Sequence, residues 1–266
     1  MNYFTLDGHS TSEWGIGLSG TGVWDAPARK GESISVPGRN GNVWVDDGSF
    51  ENIYVTYPCW MSEGFDDQID DFRGYLSAHA DQYYRLTDTY HPDEYRMARY
   101  AGPFTTTPGT RNESGRFDVV FDCWPQRTLL SGEVYQDVGQ RIDITNPTRF
   151  GANPLIHIKG TGDDYKIHFH SDYSEDIDGF LTSLSITFLS LSDEIWFDTR
   201  TMSAQKLNAR QVMEDTIVEY TTQYYVNDAG RDSSFTLWPG CCRINLPYPA
   251  TVQPDILEIM PRWWKI

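Results

Sequence analysis

Three histidines have the spacing in this 266-residue chain that best suits metal chemistry. His168 and His170 lie two apart on a predicted strand, so their side chains share one face, and His157 lies on the preceding predicted strand. Imidazole nitrogens are common zinc ligands. Because Ile167 and Phe169 alternate with them as core-type residues, His168 and His170 are expected to be the solvent-facing set of an ordinary strand. We therefore expect no metal site and no cofactor.

Carboxylate pairs could instead supply acid–base chemistry. The chain has 38 Asp and Glu against 21 Lys and Arg, a net charge of −17. A glycosidase needs two carboxylates fixed across a cleft, and no pair here is singled out by its surroundings. The adjacent acidic pairs are Asp46-Asp47, Asp66-Asp67, Asp163-Asp164 and Glu175-Asp176. A solvated acidic surface explains them, so we expect no enzyme, little affinity for DNA phosphates and repulsion from anionic membranes.

Two other chemical patterns are set aside on their context. Residues 15–20 match the glycine fingerprint of dinucleotide-binding proteins, but no buried strand precedes them and no helix follows. The cysteines at 59, 123, 241 and 242 lack metal-site spacing, so reduced, mostly buried thiols are expected. The sequence predicts neither a signal peptide nor a membrane-spanning run. The protein is therefore expected to be made in a cytoplasm and to have no membrane association.

One helix is predicted, over 62–79, with Ser62 as N-cap. The apolar stripe of this helix recurs at helical spacing, at Phe65, Ile69, Phe72 and Leu76. Elsewhere the chain predicts short strands joined by turns, in keeping with its 22 Gly and 14 Pro. The strands after residue 153 suggest a β-sandwich.

The segment from Ser35 to Pro58 has the strongest strand and turn signals. Pro37-Gly38 and Asn40-Gly41 predict turns, because proline presets φ and glycine accepts positive φ. Asp47-Gly48 predicts another turn, and alternating strands flank it at 42–46 and 52–57. The pattern indicates an extended β-ribbon with one buried face.

Trp44 and Tyr54 fall on the other face of the predicted ribbon. They are either a cross-strand aromatic pair within one domain or a contact with a neighbouring subunit. The residues alone favour the first interpretation.

The ribbon also carries a resemblance. Val-Pro-Gly-Arg-Asn-Gly at 36–41, followed by Gly-Ser-Phe-Glu-Asn at 48–52, resembles an element near the start of siphophage distal tail proteins. Further counterparts follow in order in the first half, at 85–88, 92–98 and 115–125, although Thr87 stands where an acidic residue is usual. Counterparts in the second half lie at 146–163, 197–201, 238–240 and 259–264. The resemblance therefore covers nearly the whole chain.

The resemblance implies a mainly β fold in two domains. Residues 1–140 would form a ring-forming (belt) domain, an N-terminal β-sandwich with an extended β-ribbon and one helix. Residues 141–266 would form a galectin-like β-sandwich.

The resemblance further implies a structural protein of the bacteriophage virion, at the tip of a long tail. It would form a homo-hexameric ring joining the tail tube protein to the tail-associated hub protein and to receptor-binding or baseplate proteins. DNA would pass through the lumen without specific binding during ejection. The implied intersubunit residues are Val36, Pro37, Gly38, Arg39, Asn40, Gly41, Val43, Trp44, Phe50 and Tyr54.

Two other functions remain open from the sequence. The C-terminal sandwich could be a carbohydrate-binding module for the host cell wall, with Trp238 as a possible glycan contact. A wall-degrading hydrolase would need a convergent acid pair, which the sequence does not name.

Overall fold

The structure is a computed structural model that describes residues 1–20, 22–109, 113–160, 165–171, 180–187, 193–207, 213–216, 219–224, 235–245 and 254–266. The chain forms two compact units, Met1–Thr128 with Ile266, and Leu129–Lys265.

The described residues of the first unit form ten strands and one α-helix. Its elements are β1 (Phe4–Leu6), β2 (His9–Ser10), β3 (Gly17–Leu18), β4 (Arg29–Ile34), β5 (Val43–Phe50), β6 (Ile53–Met61), α1 (Phe65–Ala78), β7 (Tyr84–Asp88), β8 (Glu94–Tyr100), β9 (Thr105–Pro108) and β10 (Gly115–Leu129). A short 3₁₀ helix spans Thr11–Trp14.

Seven of these strands form a sheet in the order β2-β1-β7-β8-β10-β6-β3, and β9 also pairs with β10. The long strand β10 pairs antiparallel with β6 from Gly115 opposite Met61 to Cys123 opposite Ile53. Alternate residues of β6 are buried, as the period-two pattern predicts. The face that they share forms the core of the unit together with Phe117, Val119 and Phe121 of β10.

Helix α1 covers this core with one apolar stripe. Phe65, Phe72 and Leu76 are buried, as the helical spacing predicts. The predicted N-cap at Ser62 is wrong: the cap is Gly64, at φ +70°, and it makes no side-chain hydrogen bond. Phe65 N–H instead donates to the backbone oxygen of Glu113 at 3.2 Å, a long-range contact that sequence spacing could not indicate.

The second unit contains β11 (Gln136–Asp137), β12 (Arg141–Asn146), β13 (Leu155–Gly160), β14 (Tyr165–Ser171), β15 (Phe180–Thr187), β16 (Asp193–Asp198), β17 (Ser203–Leu207), β18 (Met213–Thr216), β19 (Glu219–Tyr224), β20 (Gly240–Asn245), β21 (Ile256–Met260) and β22 (Trp264–Lys265). One sheet has the order β11-β21-β13-β16-β17-β18, and the other has the order β12-β20-β14-β15-β19.

The two sheets of this unit share one buried cluster. Ile156 and Phe197 come from the first sheet, Ile144 and Ile244 from the second, and all four are nearly inaccessible to solvent. Trp263 belongs to the same cluster. Two sheets that face each other across a common apolar core form a β-sandwich.

The predicted mainly β fold class is confirmed. The units divide between Thr128 and Leu129, whereas the predicted domains divide between residues 140 and 141. Residues 129–139 bond within the second unit: Leu129 N–H donates to Trp263 O and Val138 N–H to Leu257 O, each at 2.9 Å. No helix in the part of the chain described here has the length and apolar character to cross a membrane.

Candidate subunit interface

A β-ribbon is present, but its strands are β4 and β5, which form a separate two-stranded sheet, and not the predicted pair of strands at 42–46 and 52–57. The strands pair antiparallel, with Ile34 opposite Val43 and Glu32 opposite Val45. We call residues 29–50 the ribbon.

A tight turn shapes the tip of the ribbon. Arg39 N–H donates to Val36 O at 3.2 Å, which closes a turn with Pro37 and Gly38 at its centre. Gly38 has φ +80°, so proline followed by a positive-φ glycine fits a type II turn. Asn42 Nδ2 donates to Ser33 Oγ at 2.8 Å, across the ribbon just below the tip. The two predicted turn dipeptides thus lie at the tip.

The pairing differs from the prediction in one respect. Asp47-Gly48 is not a turn between two ribbon strands; it lies inside β5, whose partner is the preceding β4 rather than β6. Gly31 faces Asp46 and Arg29 faces Phe50, so residues 47–49 bulge opposite Lys30. Gly48 has φ +84°, which explains why glycine is found at the bulge.

Polar and cation–π contacts hold the base of the ribbon. Arg29 Nε donates to both carboxylate oxygens of Asp46, at 2.9 and 2.8 Å. This bond lowers the pKa of the exposed Asp46 carboxyl. The Arg29 guanidinium also lies 4.6 Å from the centre of the Phe50 ring. Glu51 N–H donates to Ala28 O at 2.8 Å, so the two ends of the ribbon meet.

Both faces of the ribbon are open to solvent. The buried face predicted for 52–57 is confirmed in β6, whereas the one predicted at Val43 and Val45 is wrong. Trp44 is 53% exposed and Val45 is 50% exposed. Ile34 and Val36 are 41% and 40% exposed. No residue of the ribbon belongs to the buried core. Alternation along a strand shows that its two faces differ, but no described residue of this unit buries either face of the ribbon. An uncovered two-stranded ribbon is marginally stable in water, and exposed apolar clusters mark interaction sites.

Trp44 lies across Gly31 of the facing strand. A Cβ atom at Gly31 would come within 2.6 Å of a Trp44 ring carbon and 2.5 Å of the Val45 backbone oxygen. Glycine at this position therefore allows the indole to lie flat against the ribbon.

Tyr54 belongs to the main sheet rather than to the ribbon. It lies on β6 opposite Asp122 of β10 and is 65% exposed. It does not form the predicted aromatic pair with Trp44, because their strands belong to different sheets. Trp124, two residues along β10 from Asp122, is 37% exposed, and its ring centre lies 5.5 Å from that of Tyr83.

Hydrogen bonds order the surface beside Tyr54. Asp122 accepts from Asn52 Nδ2 at 2.9 Å, from Tyr83 Oη at 3.0 Å and from Arg99 Nε at 3.0 Å. Such a network fixes the side chains before any partner arrives. We call Asn52, Tyr54, Tyr83, Arg99, Asp122 and Trp124 the aromatic platform.

Sequence reasoning missed several exposed apolar residues. Trp24, which is 74% exposed, Ile34, Val45 and Trp124 were not among the predicted interface residues. Ile34 and Val45 were detectable as members of strands on either side of the turn dipeptides. Trp24 and Trp124 carry no sequence signal, since tryptophan is more often buried.

The residues considered for chemistry have structural contacts of their own. His157 Nε2 is 2.9 Å from Glu194 Oε1 and its Nδ1 is 3.0 Å from Glu258 Oε2, and its ring stacks on Trp196 at 4.5 Å. The side chains of His168 and His170 are outside the described residues. Within the residues that are described, no group of three or more His, Cys, Asp or Glu could hold a metal ion.

The remaining sequence candidates have ordinary structural surroundings. The glycine fingerprint at 15–20 follows a 3₁₀ helix and contains strand β3, which is not the strand–loop–helix unit of a dinucleotide site. Cys59, Cys123 and Cys242 are buried and Cys241 is exposed. Burial raises the pKa of the Cys123 thiol to about 12. Trp238 is half-buried beside Gly151, where a Cβ atom would lie 3.4 Å from its ring.

Comparison of the sequence with protein-family models finds no matching family, and comparison with curated proteins finds no matching sequence. Solved structures do match. The Dit protein of phage SPP1, described as a paradigm of the hub adsorption apparatus in phages that infect Gram-positive bacteria, is 13% identical. The match covers 100% of both chains with a TM-score of 0.67. The chain has the Dit fold.

Two chains from the activated baseplate of phage P2, with calcium and with strontium, are similar to a lesser degree. Each is 11% identical over 97% of both chains, with TM-scores of 0.47 and 0.49 respectively.

Proposed function

We propose that this chain is a distal tail protein of a long-tailed bacteriophage, a structural and non-enzymatic component of the virion at the tail tip. Six copies form a ring that joins the tail tube protein to the tail-associated hub and to receptor-binding or baseplate proteins. DNA passes through the ring without specific binding.

The exposed apolar ribbon is the observation that supports this function most directly. The fold of this chain matches that of the SPP1 Dit protein over its full length. Within this fold the chain carries a ribbon, and both faces of the ribbon are open to solvent. An uncovered Trp44 beside Val45 costs solubility, and contact with a partner would remove that cost.

A second copy of the chain is the occupant that we assign to the ribbon. The ribbon and the aromatic platform are different surfaces of one chain, so contact between them is heterologous. Heterologous contacts repeat head to tail and close into a ring when the rotation per subunit fits. Pairing with a neighbour would also cover the unpaired outer edge of β5, which otherwise invites uncontrolled association.

Mass photometry and negative-stain imaging of the purified protein test the ring. We expect a species of six times 30.5 kDa that shows a central hole. Val45→Lys places a charge on the 50% exposed ribbon face and should reduce this species at least tenfold. Val134→Lys makes the same change at a 60% exposed residue of the second unit and should leave it unchanged.

A second experiment repeats these measurements after the tail tube protein of the same phage is added. A chain that stays at 30.5 kDa both alone and with that protein would contradict the ring. Equal loss of assembly in Val134→Lys and Val45→Lys would contradict the role of the ribbon. Binding of a monomer to host wall glycan would favour the carbohydrate-binding alternative instead.

A further inference from the structure

The tip of the ribbon contains the dipeptide Asn40-Gly41, between the tight turn and strand β5. It is the only Asn-Gly pair in the sequence. Both residues are exposed and lie outside the paired strands, since β4 ends at Ile34 and β5 begins at Val43. The chain can therefore change its torsion angles here without breaking the hydrogen bonds between the strands.

Neither reactive group of this dipeptide is held in place. In the part of the chain that the structure describes, neither the Asn40 side-chain amide nor the Gly41 N–H forms a hydrogen bond. Gly41 has no side chain, and a Cβ atom there would meet nothing within 4 Å. The backbone nitrogen of Gly41 can therefore approach the Asn40 side chain without obstruction. A backbone nitrogen in these surroundings can attack the neighbouring side-chain amide.

Two other places in the ribbon show how such an attack is prevented. Asn42 Nδ2 donates to Ser33 Oγ at 2.8 Å, and the β-branched Val43 follows Asn42 in the chain. At Asp47-Gly48, the glycine N–H donates to Asp46 Oδ1 at 3.0 Å. In the first case the side-chain amide is bonded elsewhere, and in the second case the attacking nitrogen is.

We propose that Asn40 is a site of spontaneous deamidation in the unassembled chain. The Gly41 nitrogen forms a bond to Cγ of Asn40, and the bond from Cγ to the side-chain nitrogen breaks. The proton of the Gly41 N–H leaves with the side-chain NH₂ group as ammonia, and a five-membered succinimide remains. Water then adds to one of the two ring carbonyls and opens the ring, which gives aspartate or isoaspartate. Water is the only co-reactant, and no group is oxidised or reduced.

Either product changes the tip of the ribbon. Each places a carboxylate beside Arg39, which is the only charged residue between positions 33 and 45. Isoaspartate also directs the main chain through Cβ, which adds one carbon atom to the loop that joins β4 to β5. The 2.8 Å bond from Asn42 to Ser33 crosses the ribbon at the base of this loop, so we expect isoaspartate to disturb it.

The consequence for assembly rests on the proposed function. In the proposed ring the ribbon contacts a neighbouring copy, whose net charge of −17 would repel an added carboxylate at the tip. Deamidation therefore converts chains that wait unassembled into chains that join the ring poorly.

Peptide mapping by mass spectrometry, after incubation of the purified protein at pH 8 and 37 °C, tests the chemistry. Asn40 and Asn42 lie in one tryptic peptide, 40–73. We expect Asn40 to lose its amide with time and electron-transfer fragmentation to reveal isoaspartate there. Asn42 is the internal control and should keep its amide. An Asn40 amide that persists as long as that of Asn42, or equal loss at both positions, would overturn the proposal.

Mass photometry tests the effect on assembly, with each incubated protein compared with its own fresh sample. The unmodified chain should lose ring species in proportion to its deamidated fraction. Asn40→Gln keeps an amide but has one more methylene, which disfavours closure of the imide, so its ring fraction should not change during incubation. Undiminished rings in the deamidated chain would contradict the effect on assembly. A fresh chain without rings would instead contradict the proposed function, and the peptide map would still decide whether Asn40 deamidates.

Discussion

At the scale of single residues, the shape of the ribbon depends on the missing side chain of Gly31. In Gly31→Ala the new methyl would meet the Trp44 ring and the Val45 backbone oxygen, and the latter cannot move without disturbing the pairing of β4 with β5. We expect a red shift of Trp44 fluorescence and association at least tenfold weaker, from about 1–3 kcal/mol of overpacking. The Tm should change by less than about 1 °C because the ribbon lies outside the core. A large drop in Tm would show that the ribbon supports the unit's own fold.

At Gly74, in contrast to Gly31, a substitution by alanine should stabilise the protein. It is exposed in the interior of α1, and a Cβ atom there would meet nothing within 4 Å. Gly74→Ala should increase the free energy of unfolding by about 0.5–1 kcal/mol, because alanine loses less backbone entropy in a helix. Urea denaturation followed by circular dichroism measures this change. A destabilised variant would mean that this helix face contacts something that the single chain does not show.

The buried Tyr57 should make the stability of the first unit depend on pH in the alkaline range. Burial, with the Asp88 carboxylate nearby, raises the pKa of Tyr57 well above its ordinary value of 10.0. The tyrosine of the unfolded chain ionises first, so the stability present below pH 10 is lost as pH rises above that value, by up to about 1.4 kcal/mol per pH unit. Urea denaturation between pH 9 and 11 should show this slope.

Tyr57→Phe should make the alkaline slope less steep; part of it should remain, since the Cys123 thiol also has a raised pKa. The substitution should also cost about 1–3 kcal/mol at neutral pH, since Asp88 loses its 2.7 Å hydroxyl donor. The matched control is Tyr54→Phe, at a side chain that is solvated in the folded chain. An identical slope in Tyr57→Phe and the unmodified protein would assign the alkaline loss to another group.

At the scale of elements, the ribbon is separable from the unit that carries it. The core draws no residue from 29–50, and Ala28 O and Glu51 N lie 2.8 Å apart. Replacing residues 30–49 by a short Gly-Ser linker should therefore leave Tm within about 2 °C and abolish the ring in mass photometry. Rings that persist without the ribbon would move the subunit contact elsewhere.

At the scale of the whole molecule, the negative charge of the chain would oppose the proposed assembly. In the proposed ring, six copies with a net charge of −17 each would bring −102 together. Mutual repulsion of this size is screened by salt, whose Debye length falls from about 20 Å at 20 mM to about 6 Å at 300 mM. The ring fraction should therefore rise with sodium chloride over this range, because apolar ribbon contacts are not weakened by screening. Dissociation with added salt would instead indicate that ion pairs dominate the contact.

The same charge bears on the proposed passage of DNA. Acidic side chains facing the lumen would repel phosphates, so electrophoretic mobility shift at 150 mM salt should show no complex with duplex DNA. Binding that weakens steeply with salt would reveal a basic lumen and contradict this proposal.

The sequence by itself determined what depends on neighbours along the chain. Turn dipeptides located the ribbon tip at Pro37-Gly38, alternation identified Ile53 and Val55 as core residues of β6, and helical spacing identified Phe72 as buried in α1. These features follow from local sterics and from a fixed period of side-chain direction, so a single strand or helix carries them in full.

Only the tertiary structure decided which segments pair and which faces are covered. The partner of β5 is Arg29–Ile34, a strand with almost no apolar pattern. The first N–H of α1, that of Phe65, donates to the backbone oxygen of Glu113, far along the chain. Val45 has the alternation of a core residue and is exposed, whereas Arg96 is charged and buried. Strand pairing and burial depend on contacts between residues that are distant in sequence. The period of a sequence pattern gives the direction in which a side chain points, but it does not say whether protein or solvent lies on that side.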